Sequence, residues 1–214
     1  MAKFGSDSKF GTGKDETDEV SEKVSEFLNQ YDEIIVEGDL EEASFRQGLG
    51  YQKTIINAEG RDNVFAKVQT LYKSKSKQRV FAVTDGEQEG INGIVKTLNE
   101  RGIPVKRKNP PLIRVNDYID ILVMGLPEDY RGCTDSVIGQ GLLNKAIEDC
   151  ETVKDELRKY VCGGPCKNDE VFIDRLFDDN NEYKPKAKGS LEAYISRIIE
   201  EYANDSRGHG KGRK

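Results

Sequence analysis

Two short acidic motifs carry the chemistry that this sequence can offer. Glu37-Gly38 closes the β-branched run Ile34-Ile35-Val36, and Asp85-Gly86-Glu87 closes Val80-Phe81-Ala82-Val83-Thr84. Glu41 follows Glu37 by four residues, one helical turn on. Carboxylates gathered in one crevice cannot all stay charged unaided: either their pKa values rise or a divalent cation neutralises them. Hard oxygen donors suit Mg²⁺ or Mn²⁺, which take one or two carboxylates and keep several waters. Such an ion can activate water or stabilise an in-line displacement at phosphorus. The competing reading is that strand-end acids cap the following helix and meet the positive end of its dipole.

Composition removes other chemistries. The chain has 214 residues and a single His, His209, in the segment Arg207-Gly208-His209-Gly210-Lys211-Gly212-Arg213-Lys214. Ser/His/Asp and Cys/His nucleophiles need a positioned imidazole, so neither mechanism is expected, nor is a His-based zinc site. Carboxylates, Lys, Arg and a metal remain. Charged residues make up 34% of the chain and the net charge is −6. No stretch approaches the roughly 18–20 apolar residues of a membrane span, and the start lacks the apolar region of a secretion signal. No membrane association and a cytoplasmic location are the expectations.

The elements that would position the carboxylates read as alternating strands and helices. Residues 1–14 are Gly/Ser/Lys-rich and aperiodic, a disordered lead-in; Gly11-Thr12-Gly13-Lys14 lacks the Ser/Thr and preceding strand of a phosphate loop. Asp15 to Gln30 has helical spacing through Val20, Val24, Phe27 and Leu28. Strands are expected at 33–38, 53–57, 79–84, 103–106, 113–115 and 119–124. Helices between them run to about Gln47, over Asp62–Tyr72, and over Glu89–Arg101. This alternation specifies βαβ units and a mainly parallel sheet. Further helices are expected over Ser136–Tyr160, Glu170–Phe177 and Ala187–Ala203. The organisation is a lead-in at 1–14, an α/β domain with its N-terminal helix at 15–126, a helical region at 127–204 and a basic tail at 205–214. In an open α/β sheet ligands bind at the carboxyl ends of strands where the strand order reverses. With the first and third strands adjacent, Glu37 and Asp85 meet in that crevice.

Ile34-Ile35-Val36-Glu37-Gly38-Asp39-Leu40-Glu41 followed by Val80-Phe81-Ala82-Val83-Thr84-Asp85-Gly86-Glu87 resembles the toprim domain of topoisomerases, bacterial primases and OLD-family nucleases. Its marks are a strand ending in Glu-Gly and a later strand ending in Asp-x-Asp. The resemblance covers about residues 32–126 and implies a Rossmann-like, mainly parallel sheet and Mg²⁺-dependent phosphodiester chemistry. It also implies Glu37 as general acid/base and metal ligand, and Asp85 as metal ligand. Glu87 stands where the family carries its second Asp. Small stand-alone and OLD-like members also carry a second Glu like Glu41, a later acidic helix and a C-terminal Lys. Leu143–Asp149 and Lys184–Tyr194 resemble those segments, implying Glu148 as a further metal ligand and Lys186 or Lys188 as the stabiliser of charge at phosphorus.

Charge is blocked along the chain. Asp15 to Glu42 holds twelve acids against one Lys, whereas Lys67–Arg79 and Arg101–Arg114 each hold five bases and no acid. Lys73, Lys75, Lys77, Arg79, Lys106, Arg107 and Lys108 are the candidate contacts to nucleic-acid phosphates. Cys162 and Cys166 flank a turn and, with Cys133 and Cys150, are read as ordinary reduced thiols, with a zinc site or a redox pair as the alternatives. Two functional readings stand. One is a Mg²⁺- or Mn²⁺-dependent nuclease or nicking enzyme on DNA or RNA. The other is a weakly active or inactive module of the same fold that binds nucleic acid, or a protein partner through its C-terminal helices.

Overall fold

The computed structural model describes residues 16–164 and 166–208. Residues 1–15, Pro165 and the segment from His209 onward therefore lie outside the described residues. The elements are α1 (Glu16–Leu28), β1 (Glu33–Val36), α2 (Asp39–Ala43), β2 (Thr54–Asn57), α3 (Arg61–Lys73), β3 (Val80–Asp85), α4 (Gly90–Glu100), β4 (Arg107–Asn109), β5 (Leu112–Arg114), β6 (Ile119–Met124), α5 (Thr134–Leu142), α6 (Cys150–Cys162), α7 (Asp169–Leu176) and α8 (Tyr183–Gly208). A π-helical turn, Ser44–Gly48, continues α2.

The chain is a mixed α/β protein with one six-stranded, mostly parallel sheet in the order β2-β1-β3-β6-β5-β4. β2, β1, β3 and β6 run parallel, and β5 and β4 add an antiparallel edge. β3 and β6 are apolar almost throughout and buried along their length, as strands covered on both faces must be. Sequence order reverses between β1 and β3, so the Rossmann-like expectation of a crevice there is met. The helical C-terminal region shares the sheet's core: one buried apolar cluster runs from Val24 and Phe81 through Ile138 and Leu157 to Leu191 and Ile198. Among the described residues no helix is long and apolar enough to cross a membrane.

Three elements differ from the sequence reading. Residues 103–106 are not a strand. Gly102, in the left-handed region at φ 72°, closes α4, and Pro104 has no N–H to give a ladder. The strand forms over 107–109 instead and pairs back on β5 around the cis Pro110-Pro111 bond. The expected helix over 136–160 is two helices, because Asn144 turns left-handed (φ 53°) and Asp149 N-caps a new start by accepting from Thr152 N–H at 2.8 Å. α8 continues to Gly208, so residues 205–208 are helical, not an unstructured tail. Cys162 and Cys166 form a disulfide (Cα–Cα 5.7 Å), not the two thiols expected, because Gly163 ends α6 left-handed and turns the chain back.

The segment 126–132 clamps the end of β3. Glu87 and Gly132 exchange backbone hydrogen bonds at 2.6 and 2.8 Å, and Leu126 N–H donates to Arg131 O at 2.7 Å. A Cβ on Gly86 would lie 1.7 Å from Tyr130 O, a backbone atom that cannot swing aside. Gly86→Ala is therefore expected to cost about 3 kcal/mol or more, read as a lowered urea midpoint at unchanged slope.

Candidate functional site

The parallel register of β1 on β3 pairs Glu33 with Val80 and Ile35 with Ala82. Continued one pair past the strand end, it brings Glu37 beside Thr84. The contacts are direct. The Thr84 hydroxyl donates to Glu37 Oε2 at 2.9 Å, and Asp85 N–H donates to the same oxygen at 3.1 Å. Asp85 is fixed in turn from α5: Thr134 N–H and hydroxyl donate to Asp85 Oδ1 at 2.9 and 3.2 Å. One oxygen of each carboxylate is thus held, and no hydrogen bond engages Glu37 Oε1 or Asp85 Oδ2 among the described residues.

Both carboxylates line a crevice of about 390 Å³ at the carboxyl ends of the strands. α2 gives Asp39, Leu40 and Glu41; the end of β2 gives Asn57 and the turn after it Glu59; α5 gives Asp135; α6 gives Lys154 and Arg158; α7 gives Asp169, Phe172 and Ile173. Gly38 is extended and lets Glu41 fold back over the motif: a Cβ there would meet Glu41 Oε2 at 3.2 Å. Asn57 donates to Asp39 Oδ1 at 2.7 Å and accepts from Glu59 N–H at 3.0 Å.

The charges press on one another. Burial pushes Glu37 up, the Asp85 and Thr84 donors pull it back, and Glu41 raises it again. Burial, then the charges of Glu41, Cys133 and Glu37, hold Asp85 well above the usual carboxylate range. Asp135 is only 3% exposed; burial raises it to about 7 against the pull of Lys154 and Arg158 and of its own backbone N–H. Burial pulls Lys154 down, but Asp135 and the other negative groups outweigh this and keep its ammonium above its ordinary value. Lys154 makes no ion pair within 4 Å among the described residues, and Arg158 pairs with Asp169.

Of the residues expected in the site, Glu37, Glu41 and Asp85 are brought together. Glu87 is not. Its backbone is pinned to Gly132 at φ 47°, and its carboxylate pairs with Arg61 at 2.9 Å, outside the crevice. Glu148 is exposed in the segment between α5 and α6 and does not line the crevice. Lys186 and Lys188 lie on α8, paired with Glu182 at 2.6 Å and Glu192 at 3.5 Å, and neither reaches the site. The cations that do are Lys154 and Arg158. Lys73, Lys75, Lys77 and Arg79 occupy the end of α3 and its turn into β3, at the amino edge of the sheet, opposite the crevice. A helix-to-strand turn in a βαβ unit always falls at that end. Lys106 pairs with Asp117 at 2.5 Å on the same edge, and Lys108 contacts Asn92. The Arg107 side chain lies outside the described residues.

Asp135, Lys154 and Arg158 escaped the sequence reading. Asp135 follows β6, the next parallel strand beside β3, and that topology was the only pointer to it. The four-residue spacing of Lys154 and Arg158, on a helix that buries Val153, Leu157 and Val161, marks a shared face.

Among the described residues no three His, Cys, Asp or Glu side chains form a group able to hold a metal ion by themselves. The donors still fit Mg²⁺ or Mn²⁺ in the way such ions are commonly held, by one or two carboxylates with water and substrate phosphate completing the shell. Asp85 keeps an unbonded oxygen on the crevice, Glu41 lies beside it, and both are hard donors. No protein-family model matches this chain, and a search of curated proteins returns no match.

Asp135 gives a signed pH dependence. A carboxyl raised by folding contributes stability below its unfolded pKa, near 4, and that contribution is lost as pH rises through about 7. The loss is on the order of 4 kcal/mol. Asp135→Asn is expected to flatten the fall in urea midpoint between pH 5 and pH 8; an unchanged fall would mean Asp135 does not titrate there.

Proposed function

We propose that this protein is a toprim-type, divalent-cation-dependent phosphodiesterase acting on nucleic acid. One observation carries the reading: Glu37 and Asp85 end adjacent parallel strands, share a hydrogen bond, and face one crevice with Glu41. That is the carboxylate arrangement implied by the resemblance of the Glu-Gly and Asp-Gly-Glu motifs to the toprim pattern.

In this reading Asp85 Oδ2 and Glu41 hold the cation, which supplies positive charge at the phosphate when bound. Glu37, anchored through Oε2, presents Oε1 as the proton-carrying atom, and its raised pKa keeps a proton there at higher pH than an exposed Glu would. Lys154 and Arg158, both on the crevice wall, neutralise the non-bridging oxygens as charge grows on them. These two replace Lys186 and Lys188 in that role.

A second reading, a catalytically inert module of the same fold, draws on Glu87. The residue at the family's second Asp turns away to Arg61, so the site has one strand-end ligand fewer than the pattern provides.

The test is cleavage of supercoiled plasmid and of structured RNA with Mg²⁺ or Mn²⁺. Wild-type protein is expected to cut, Asp85→Asn to be inactive, and Lys154→Ala to be slower by about 10²-fold, while Lys186→Ala and Lys188→Ala cut at the wild-type rate. Metal-independent cutting, or cutting that survives Asp85→Asn, would refute the enzyme reading. Metal-dependent binding without cutting would favour the inert module.

A further inference from the structure

Two free thiols meet at the starts of α5 and α6, and the proposed chemistry uses neither. Cys133 is the N-cap of α5 and fully buried; Cys150 is the first residue of α6 and half-buried. Their side chains interact directly. The backbone brings them together. A Cβ on Gly132 would lie 3.3 Å from Glu148 O, and Cys150 Sγ lies 3.8 Å from the same oxygen. One carbonyl thus borders both the neighbour of Cys133 and the Cys150 sulfur. Further along, a Cβ on Gly139 would meet Val153 Cγ2 at 2.8 Å, so α5 and α6 stay in close contact beyond the pair. The Cys162–Cys166 disulfide belongs to the other end of α6, about 18 Å away along the helix axis.

The two sulfurs differ in access. Cys133 Sγ lies 3.6 Å from Ser136 Oγ and accepts from Ser136 N–H in a capping box. The contact with Cys150, then burial and the charge of Asp135, push its pKa up and keep it a thiol. Cys150 reaches solvent, so a reagent meets it first.

Cys133 also adjoins the hold on Asp85. The next residue, Thr134, donates to Asp85 Oδ1 through its N–H and its hydroxyl. The preceding one, Gly132, is fastened to the backbone of Glu87. A disulfide needs its sulfurs about 2.05 Å apart. To close on Cys150, Cys133 Sγ turns from Ser136, and Ser136 N–H loses its cap. The first turn of α5, which contains Thr134, is then held less firmly.

We propose that Cys133 and Cys150 are a reversible dithiol–disulfide pair, oxidised by a small-molecule disulfide, whose closure loosens the hold of Thr134 on Asp85. Cys150 attacks one sulfur of the small disulfide, breaks its S–S bond and releases one small thiol, which takes the Cys150 proton. Cys133 then attacks the Cys150 sulfur, and the second small thiol leaves with the Cys133 proton. The protein loses two electrons and two protons, and the small disulfide gains both. The pair depends neither on cleavage nor on a cation in the crevice.

The test is incubation of the full chain with oxidised glutathione, alkylation of the remaining thiols in denaturant, and peptide mass spectrometry without reduction. The expected product links Cys133 to Cys150 and keeps the Cys162–Cys166 disulfide. Cys133→Ser is expected to stop with glutathione held on Cys150, and Cys150→Ser to take up none. Glutathione retained on Cys150 of the wild-type chain with Cys133 alkylated, or both thiols alkylated, overturns the pair. Amide exchange at Thr134, read by NMR in the oxidised wild type against identically treated Cys150→Ser, is expected to be about fivefold faster. Equal or slower exchange overturns the coupling to Asp85. Neither readout needs nucleic acid or metal, so failure of the phosphodiesterase reading leaves both results standing.

Discussion

Two carboxylates are held side by side, partly out of water, with one oxygen each fastened to the protein. Thr84 and Asp85 N–H fix Glu37, and Thr134 fixes Asp85. That chain of donors links β1, β3 and the start of α5 through the two acids. Placing such groups together is unfavourable unless protons or a cation offset their charge. The raised pKa values of Glu37, Asp85 and Asp135 express the same cost from three positions.

Much of the surrounding fold serves to keep that arrangement in place. Glycines let backbone approach where a side chain would block it: Gly86 and Gly125 under the Tyr130 carbonyl, and Gly38 beneath Glu41. The clamp that uses Gly86 also turns Glu87 outward, so the tight end of β3 is obtained at the expense of a ligand. The C-terminal helices close the crevice: α6 brings Lys154 and Arg158, and Arg158 ties α6 to Asp169 of α7. At the opposite end of the sheet a separate device holds the strands. Asp120 accepts from Tyr31 at 2.9 Å and from Arg114 at 2.8 and 3.0 Å, a buried acid with its charge fully answered.

The sheet and the strand-end acids were legible because both follow from short-range rules. A β-branched run ended by Glu-Gly or Asp-Gly marks a strand and its terminus, and βαβ alternation places those ends in one row. Glu37, Glu41 and Asp85 could be read this way. Glu87 could not, since its direction depends on a backbone pairing with Gly132, 45 residues away. Lys186 and Lys188 rest on the resemblance of Lys184–Tyr194 alone, and their i,i+4 acids and the packing of α8 on α1 and α5 keep them elsewhere. The basic run at 73–79 lies at the far edge of the sheet from the acids, where the polarity of a βαβ unit alone assigns it. Asp135, Lys154 and Arg158 needed the full three-dimensional path, because the crevice wall comes from helices whose docking no local pattern encodes.

The central claim is that Asp85 and Glu41, beside Glu37, hold a cation with water and phosphate completing its shell. Electron paramagnetic resonance titration of Mn²⁺ into the full chain tests it most directly. The account predicts one bound ion at pH 8, weakened at pH 5 as protons compete for Asp85, whose pKa burial and neighbouring charge raise, and lost in Asp85→Asn. An absence of binding at pH 8, or binding that is indifferent both to pH and to Asp85→Asn, would contradict it.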